Sequence, residues 1–345
     1  MKKIFCVLSA ALAAVSGLAL AACGTGAEGG DALNAQNLTS LKGKTVGVAQ
    51  LNNVPGLTLQ ATLKKHGVEY VILDGLQAEK AEDKVNLVAV EAANITPAYG
   101  CDYYLCPEPA ATAKINGTKD KPVSLVYAGS LQELYGGAEG YPQAVLVAKK
   151  DLAGDTVTGE LVSTFEGNAD YLATADTAHI LSLLAEARTN GLDPAFSAQT
   201  LNAEVVKNCS VKYIAAADNK GKVNDFLGEL AAVNANAANA VSDAFYYTGD
   251  FTAQPQTQGV RKVYVPDGAP ALGIINALSK ENAAFEFHVI DAQTVSSYVT
   301  GATPDADYCV LPVNLASKLL GSGEVYRMLG TVTNGNLYFL TVKNA

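Results

Sequence analysis

Hydrophobic and polar positions along this chain switch between strand-like and helix-like spacing, and the switching predicts strand–helix–strand units. Thr45 to Ala49 is an apolar run of strand type, followed by a polar loop from Gln50 to Gly56. Leu57 to Lys65 has helical spacing and stops at His66-Gly67, where a glycine suits a helix C-terminus. Val68 to Leu73 reads as a second strand, so a mostly parallel α/β sheet is expected. The same grammar returns as strand Lys262 to Val265, loop Pro266 to Pro270, helix Ala271 to Lys280 and strand Phe285 to Ile290. Two further echoes keep this order. Asp102-Tyr103-Tyr104-Leu105-Cys106-Pro107 matches Asp307-Tyr308-Cys309-Val310-Leu311-Pro312. Leu125 to Leu146, with Gly129, matches Tyr326 to Leu340, with Gly330. Three echoes in one order predict two similarly built α/β lobes.

Between the echoes, Asp151 to Tyr247 is helical in pattern, with Tyr171 to Arg188 and Val223 to Ala240 as periodic stretches. Thr248 to Gly259 has almost no aliphatic content and reads as a linker. At the start, Lys2 and Lys3 precede an uncharged apolar run from Ile4 to Leu20, which ends in Ala21-Ala22-Cys23. This is the pattern of a secretory signal, and its end resembles the bacterial lipobox, in which Cys23 is the lipidated residue. The expected division is a signal over 1–22, an anchored tether over 23–40, one lobe over 41–143 and a second over 144–345. The second lobe takes in the helical segment 151–247, the linker 248–260 and the half 261–345. The expected location is extracytoplasmic, at the membrane through Cys23, since no later apolar run is long enough to span a bilayer.

With 49% hydrophobic and only 17% charged residues, the chain can bury sizeable cores. Its net charge of −10 speaks against a nucleic-acid partner. Cys101, Cys106, Cys209 and Cys309 show no paired CxxC spacing, and Cys106 and Cys309 sit in apolar runs as buried thiols would. The chain has no GxSxG elbow, P-loop or HExxH, and His66, His179 and His288 are scattered. A non-enzymatic protein without cofactor or metal is the expectation.

Several stretches together resemble a known family. They are Leu41-Lys42-Gly43-Lys44-Thr45-Val46-Gly47-Val48, Cys106-Pro107-Glu108-Pro109-Ala110-Ala111, Pro266-Asp267-Gly268-Ala269-Pro270-Ala271-Leu272, Leu311-Pro312-Val313-Asn314 and Asn334-Gly335-Asn336-Leu337-Tyr338. The chain resembles the solute-binding lipoproteins of ABC importers with the type II periplasmic-binding fold. The group in question also includes an enzyme of thiamine-pyrimidine synthesis. The resemblance implies two lobes, each a mostly parallel sheet flanked by helices, with a ligand cleft between them. It also implies a circularly permuted order, because in that family the half resembling Arg261 to Val342 comes first. Thr248 to Gly259 would then join the old ends, and a single crossing near Tyr141 to Lys149 would be left between the lobes.

Ligands of open α/β sheets bind beyond the carboxyl ends of the strands, beside helix N-termini. This rule selects Gln50, Asn52, Asn53 and Glu108 from one lobe and Asp267, Gly268, Ala269 and Asn314 from the other. Thr333, Asn334 and Asn336 would add a wall, with Tyr135 and Tyr141 near the hinge. Asn52, Asn314, Asp267 and Glu108 could equally serve as helix caps or dipole partners. None of the three arginines, Arg188, Arg261 and Arg327, is on these loops, which favours a neutral or nitrogen-containing organic solute. The implied partners are that solute, an ABC permease and the membrane, with the protein a monomer. A surface sensor or interaction lipoprotein on the same fold is the alternative.

Overall fold

A computed structural model describes residues 32–255 and 259–344, so the signal, Cys23 and the first half of the tether lie outside the described residues. Among the described residues, twelve strands form two mixed six-stranded sheets flanked by helices. The first half of the chain supplies β1 (Thr45–Val48), β2 (Tyr70–Leu73), β3 (Val85–Ala89), β4 (Tyr103–Pro107), β5 (Val123–Ser130) and β6 (Ala144–Lys149). Then come β7 (Val211–Ala215), β8 (Arg261–Pro266), β9 (Phe285–Ile290), β10 (Tyr308–Pro312), β11 (Tyr326–Thr333) and β12 (Leu337–Asn344). The first sheet has the order β2-β3-β1-β4-β12-β5 and the second β7-β11-β6-β10-β8-β9.

Without the outer strands β2 and β7, the two sheets have one plan. β3, β1, β4, β12 and β5 stand where β9, β8, β10, β6 and β11 stand, with the same parallel and antiparallel senses. The strand in fourth place, β12 or β6, comes in each case from the other half of the chain. The first sheet therefore takes in Leu337–Asn344, which the division by sequence groups with 261–345. The chain passes between the sheets twice, through 131–143 and through 334–336, where one crossing was expected.

Eleven α-helices are found among the described residues. They begin with α1 (Val54–Lys65), α2 (Ala110–Asn116) and α3 (Leu131–Gly136). The intervening segment holds α4 (Thr156–Glu166), α5 (Asn168–Thr174), α6 (Thr177–Ala187), α7 (Ala203–Asn208) and α8 (Ala216–Val233). α9 (Ile275–Leu278), α10 (Val295–Val299) and α11 (Val313–Leu320) follow. Local chemistry explains the best-defined ends. α1 opens with Pro55 in its first turn and closes at Gly67, whose φ of +66° is left-handed, as the sequence predicts. The periodic stretch Tyr171 to Arg188 is divided between two helices, because Asp176 caps α6 by accepting from Ala178 N and His179 N. β7 interrupts the segment expected to be helical, as an edge strand on β11. β3, not anticipated, takes the place that β9 has in the other sheet.

One apolar core runs through both sheets. Val48, Leu57 and Phe339 from the first sheet and its cover share a cluster with Val147, Leu311 and Met328 from the second. α8 joins them, packing on α1, β11 and α11. The described part of the expected linker is docked: Ala253 bridges to Asp155, and Ala253 N donates to Gly154 O at 3.1 Å. At the other end, Leu33 is buried and its N–H donates to Ala128 O at 2.7 Å, so the tether reaches the β5 edge. Cys101, Cys106, Cys209 and Cys309 are buried and unpaired.

Candidate functional site

The two crossings lie against each other. Tyr141 N donates to Asn334 O at 3.2 Å and Gln143 N to Thr333 O at 3.0 Å, so a short antiparallel contact ties the connections together. Their closeness rests on two glycines. A Cβ on Gly140, whose φ is +59°, would stand 2.0 Å from Asn334 O, and one on Gly335, at φ +99°, would meet the Tyr141 ring and the Gln132 side chain. Both positions have backbones that a β-carbon disfavours.

Glu108 sits at the carboxyl end of β4 and is 3% exposed. Its carboxyl accepts from Thr112 N (3.1 Å), Thr112 Oγ1 (3.0 Å), the Tyr127 hydroxyl and Asn208 Nδ2 (3.2 Å). Thr112 and Tyr127 belong to the first half and Asn208 to α7, so this carboxyl is held from both sides of the seam. Tyr338 strengthens the junction by donating its hydroxyl to Asn208 O at 3.0 Å. Among the described residues no lysine or arginine pairs with Glu108. Burial, with the bond to Glu108 adding, pushes the Tyr127 phenol far up, and burial does the same to Tyr338. Burial also pushes the Cys106 thiol up to about 12 and raises Cys209, with the Glu108 charge adding in both cases. Thiols held that high carry almost no thiolate at neutral pH and are poor nucleophiles.

A polar chain leads from Glu108 to the end of the second sheet. Glu108 N donates to Asn336 O at 2.9 Å, and Asn336 Nδ2 donates to Glu108 O at 3.1 Å. That fixes Asn336 Oδ1 as an acceptor, and it accepts Gln143 Nε2 at 2.7 Å. The remaining Gln143 Oε1 is therefore also an acceptor, and it is buried without a hydrogen-bond partner. Asn314, in the first turn of α11, donates Nδ2 to Ala237 O at 3.1 Å, which leaves its buried Oδ1 unpartnered in the same way. Thr333 is fully buried and its Oγ1 lacks a partner as well. The three lie in one neighbourhood, since Thr333 pairs with Ala144 and Val313 N donates to Gln143 O at 3.0 Å. Each unsatisfied buried polar atom costs about 1–3 kcal/mol.

Of the residues singled out by sequence, Glu108, Tyr141, Asn314, Thr333, Asn334 and Asn336 come together at the seam. Tyr141 is fully buried, stacked on Phe226 at 5.2 Å, with Tyr135 edge-on at 5.6 Å. Gln50, Asn52 and Asn53 are exposed in the turn before α1, and Asn53 makes no side-chain cap bond. Asp267 is engaged elsewhere. Its carboxyl accepts from Ala195 N and from Gly268 N, both at 2.9 Å, and lies 3.5 Å from the Arg188 guanidinium. An arginine just after α6, far off in sequence, thus reaches this loop. Gly268 and the buried Ala269 open a 3-10 helix, Ala269–Ile274, that packs into the core of the second sheet. Gln143, Asn208 and Arg188 were not anticipated. Gln143 alone had a local signal, as a polar residue entering the apolar run Ala144 to Ala148.

Among the described residues, no group of three or more His, Cys, Asp or Glu side chains is placed to hold a metal ion. No helix among them is long and apolar enough to cross a membrane. No protein-family model matches the chain, and no curated protein matches it.

Proposed function

We propose that this chain is an extracytoplasmic solute-binding lipoprotein that captures a small nitrogen-containing molecule at the seam between two lobes and passes it to an ABC importer. The observation that carries the ligand chemistry is the set of buried acceptors, Gln143 Oε1 and Asn314 Oδ1, whose orientations are fixed by the bonds of their own amide nitrogens. Acceptors without donors are complementary to a ligand that brings N–H groups. The carboxyl of Glu108, without a cation, favours the same class. Helix α11 and the crossings place these groups at strand ends, where α/β sheets hold their ligands.

The strand plan supports the type II reading, in which each lobe receives one strand from the other. It also accommodates the permuted order. Tyr103 pairs with both Val46 and Thr341, so the end of β12 and the start of β1 are neighbours, and opening the chain there leaves both crossings whole. Lys2, Lys3 and the run to Ala21-Ala22-Cys23 support export and anchoring. In this conformation Glu108 and Asn208 close the seam, and they would part when the lobes open. The ligand shifts the balance to the closed form by binding it more tightly.

The test is native mass spectrometry of the chain from Gly24 onward, which contains every described residue. A retained nitrogenous solute is expected, and a clean mass followed by no thermal shift across a panel of amines and pyrimidines would overturn the proposal. Thr333→Val gives an independent check, because it removes an unpartnered hydroxyl without changing shape. The ligand-free variant should be as stable as the parent or about 1–2 kcal/mol more so, while solute affinity falls roughly 3–10-fold. A ligand-free variant that is clearly less stable shows the hydroxyl to be a structural bond and not a waiting ligand contact.

A further inference from the structure

A cavity of about 450 Å³ lies beside the β7 edge and does not include the unpartnered acceptors of the seam. One wall is helical and apolar, from Ala169 and Leu172 on α5 and Val206 on α7, and Ile214 of β7 continues it. The crossings close another side through Glu139 and Asn334. Its volume falls within the range of small-molecule sites, roughly 300–1,000 Å³. Short side chains, Ala138, Ala173 and Ala203, also line it.

Its charge is opposite to that of the whole chain. Lys207 and Lys212 both line it, and neither has an ion-pair partner among the described residues. Glu139 is the acidic residue of the lining, and its carboxyl is already taken by Lys222 in an ion pair. The Lys222 contact holds that carboxyl below its usual range, with Lys212 contributing. An apolar hollow with two unpaired cations, in a chain of net charge −10, suits a ligand with an apolar body and one anionic group.

We infer that this cavity is a binding site for a small organic anion, such as an aromatic sulfonate or a medium-chain carboxylate, separate from the solute site at the seam. The apolar body lies against Leu172, Val206 and Ile214, and the anionic group meets Lys207 and Lys212.

The test uses 8-anilino-1-naphthalenesulfonate as probe, titrated by fluorescence into the chain from Gly24 onward. One saturable site is expected. The neutral N-phenyl-1-naphthylamine, with the same rings and no sulfonate, should bind at least tenfold more weakly. The double variant Lys207→Gln/Lys212→Gln should erase that difference, and Ala173→Phe, from an exposed helix position, should lower affinity for both probes. Asn314→Ala, at the seam on α11, whose amide bonds Ala237 O and no residue of this cavity, should leave the affinity for the sulfonate within twofold, which separates failure of this site from failure of the solute reading. Absence of saturable binding overturns the inference, as does equal affinity for the two probes or a sulfonate affinity unchanged in the double-lysine variant.

Discussion

Gly140→Ala is expected to destabilise the chain by about 3–5 kcal/mol, the combined scale of a forced backbone conformation and an overpacked contact. Gly140 has φ +59° and ψ −143°, a region that residues with a β-carbon avoid. Moreover, the new methyl would stand 2.0 Å from Asn334 O, inside the other crossing. Relief requires the crossings to separate, which pulls on Tyr141 N, Gln143 N and the bonds that Gln143 and Asn336 share. The loss should therefore appear in urea unfolding and, on the proposed function, also as weaker solute retention. Gly136→Ala is the control. It lies in the same connection at negative φ, with nothing within 4 Å of its added carbon. A Gly140→Ala chain as stable as the Gly136→Ala chain would show that the crossings are not locked together.

Arg261→Met should cost a comparable amount, about 3–5 kcal/mol, because it strands a buried carboxylate. Arg261 Nη1 and Nη2 donate to Asp155 Oδ1 and Oδ2 at 2.9 and 2.6 Å, and the two side chains are 5% and 2% exposed. Tyr308 and Thr158 complete the network, and Asp155 also caps α4 through Thr158 N at 2.8 Å. Replacing both partners, as Arg261→Met with Asp155→Leu, should recover much of the loss. The pair also sets a pH window. Burial pushes the Asp155 carboxyl up, but the Arg261 and Thr158 bonds outweigh it, so the carboxyl is held below its usual range. A depressed carboxylate stabilises fully above its unfolded value of roughly 3.9 and loses that contribution as pH falls through the folded value. Acid unfolding should therefore show a component below about pH 4 that is absent in Arg261→Met. A single variant that costs under about 1 kcal/mol would mean that the pair does not hold α4 to the second sheet.

Much of this architecture was legible in the chain. Pro55 and Gly67 mark α1 through local backbone rules, and the paired blocks at 102–107 and 307–312 become β4 and β10 in matching places. Signals of that kind act over a few residues. The exchange of β6 and β12 had none, because a strand's sequence records that both faces are buried but not which sheet buries them. Val85–Ala89 was missed for a related reason: charged residues from Glu79 to Lys84 precede it, and only neighbours from both sides make it a central strand. At the seam, sequence position selected Glu108, Asn314 and Asn336 because they follow strands. The partners that define their chemistry, Gln143, Asn208 and Ala237, come from elements whose approach depends on the whole fold.

The strand exchange also bears on the order in which the molecule can be assembled. β4 and β5 of the first sheet are not neighbours until β12 lies between them, and the contact from Asn336 to Glu108 spans 228 residues. The first five strands therefore cannot settle into their final sheet as they are synthesised. They must wait, with two open edges at β4 and β5, for a segment made much later. Pairings of such long separation fold slowly and leave strand edges exposed to other chains in the interval. For a chain proposed to be exported, that delay is an advantage, since the part made first has no complete structure to undo before it crosses the membrane.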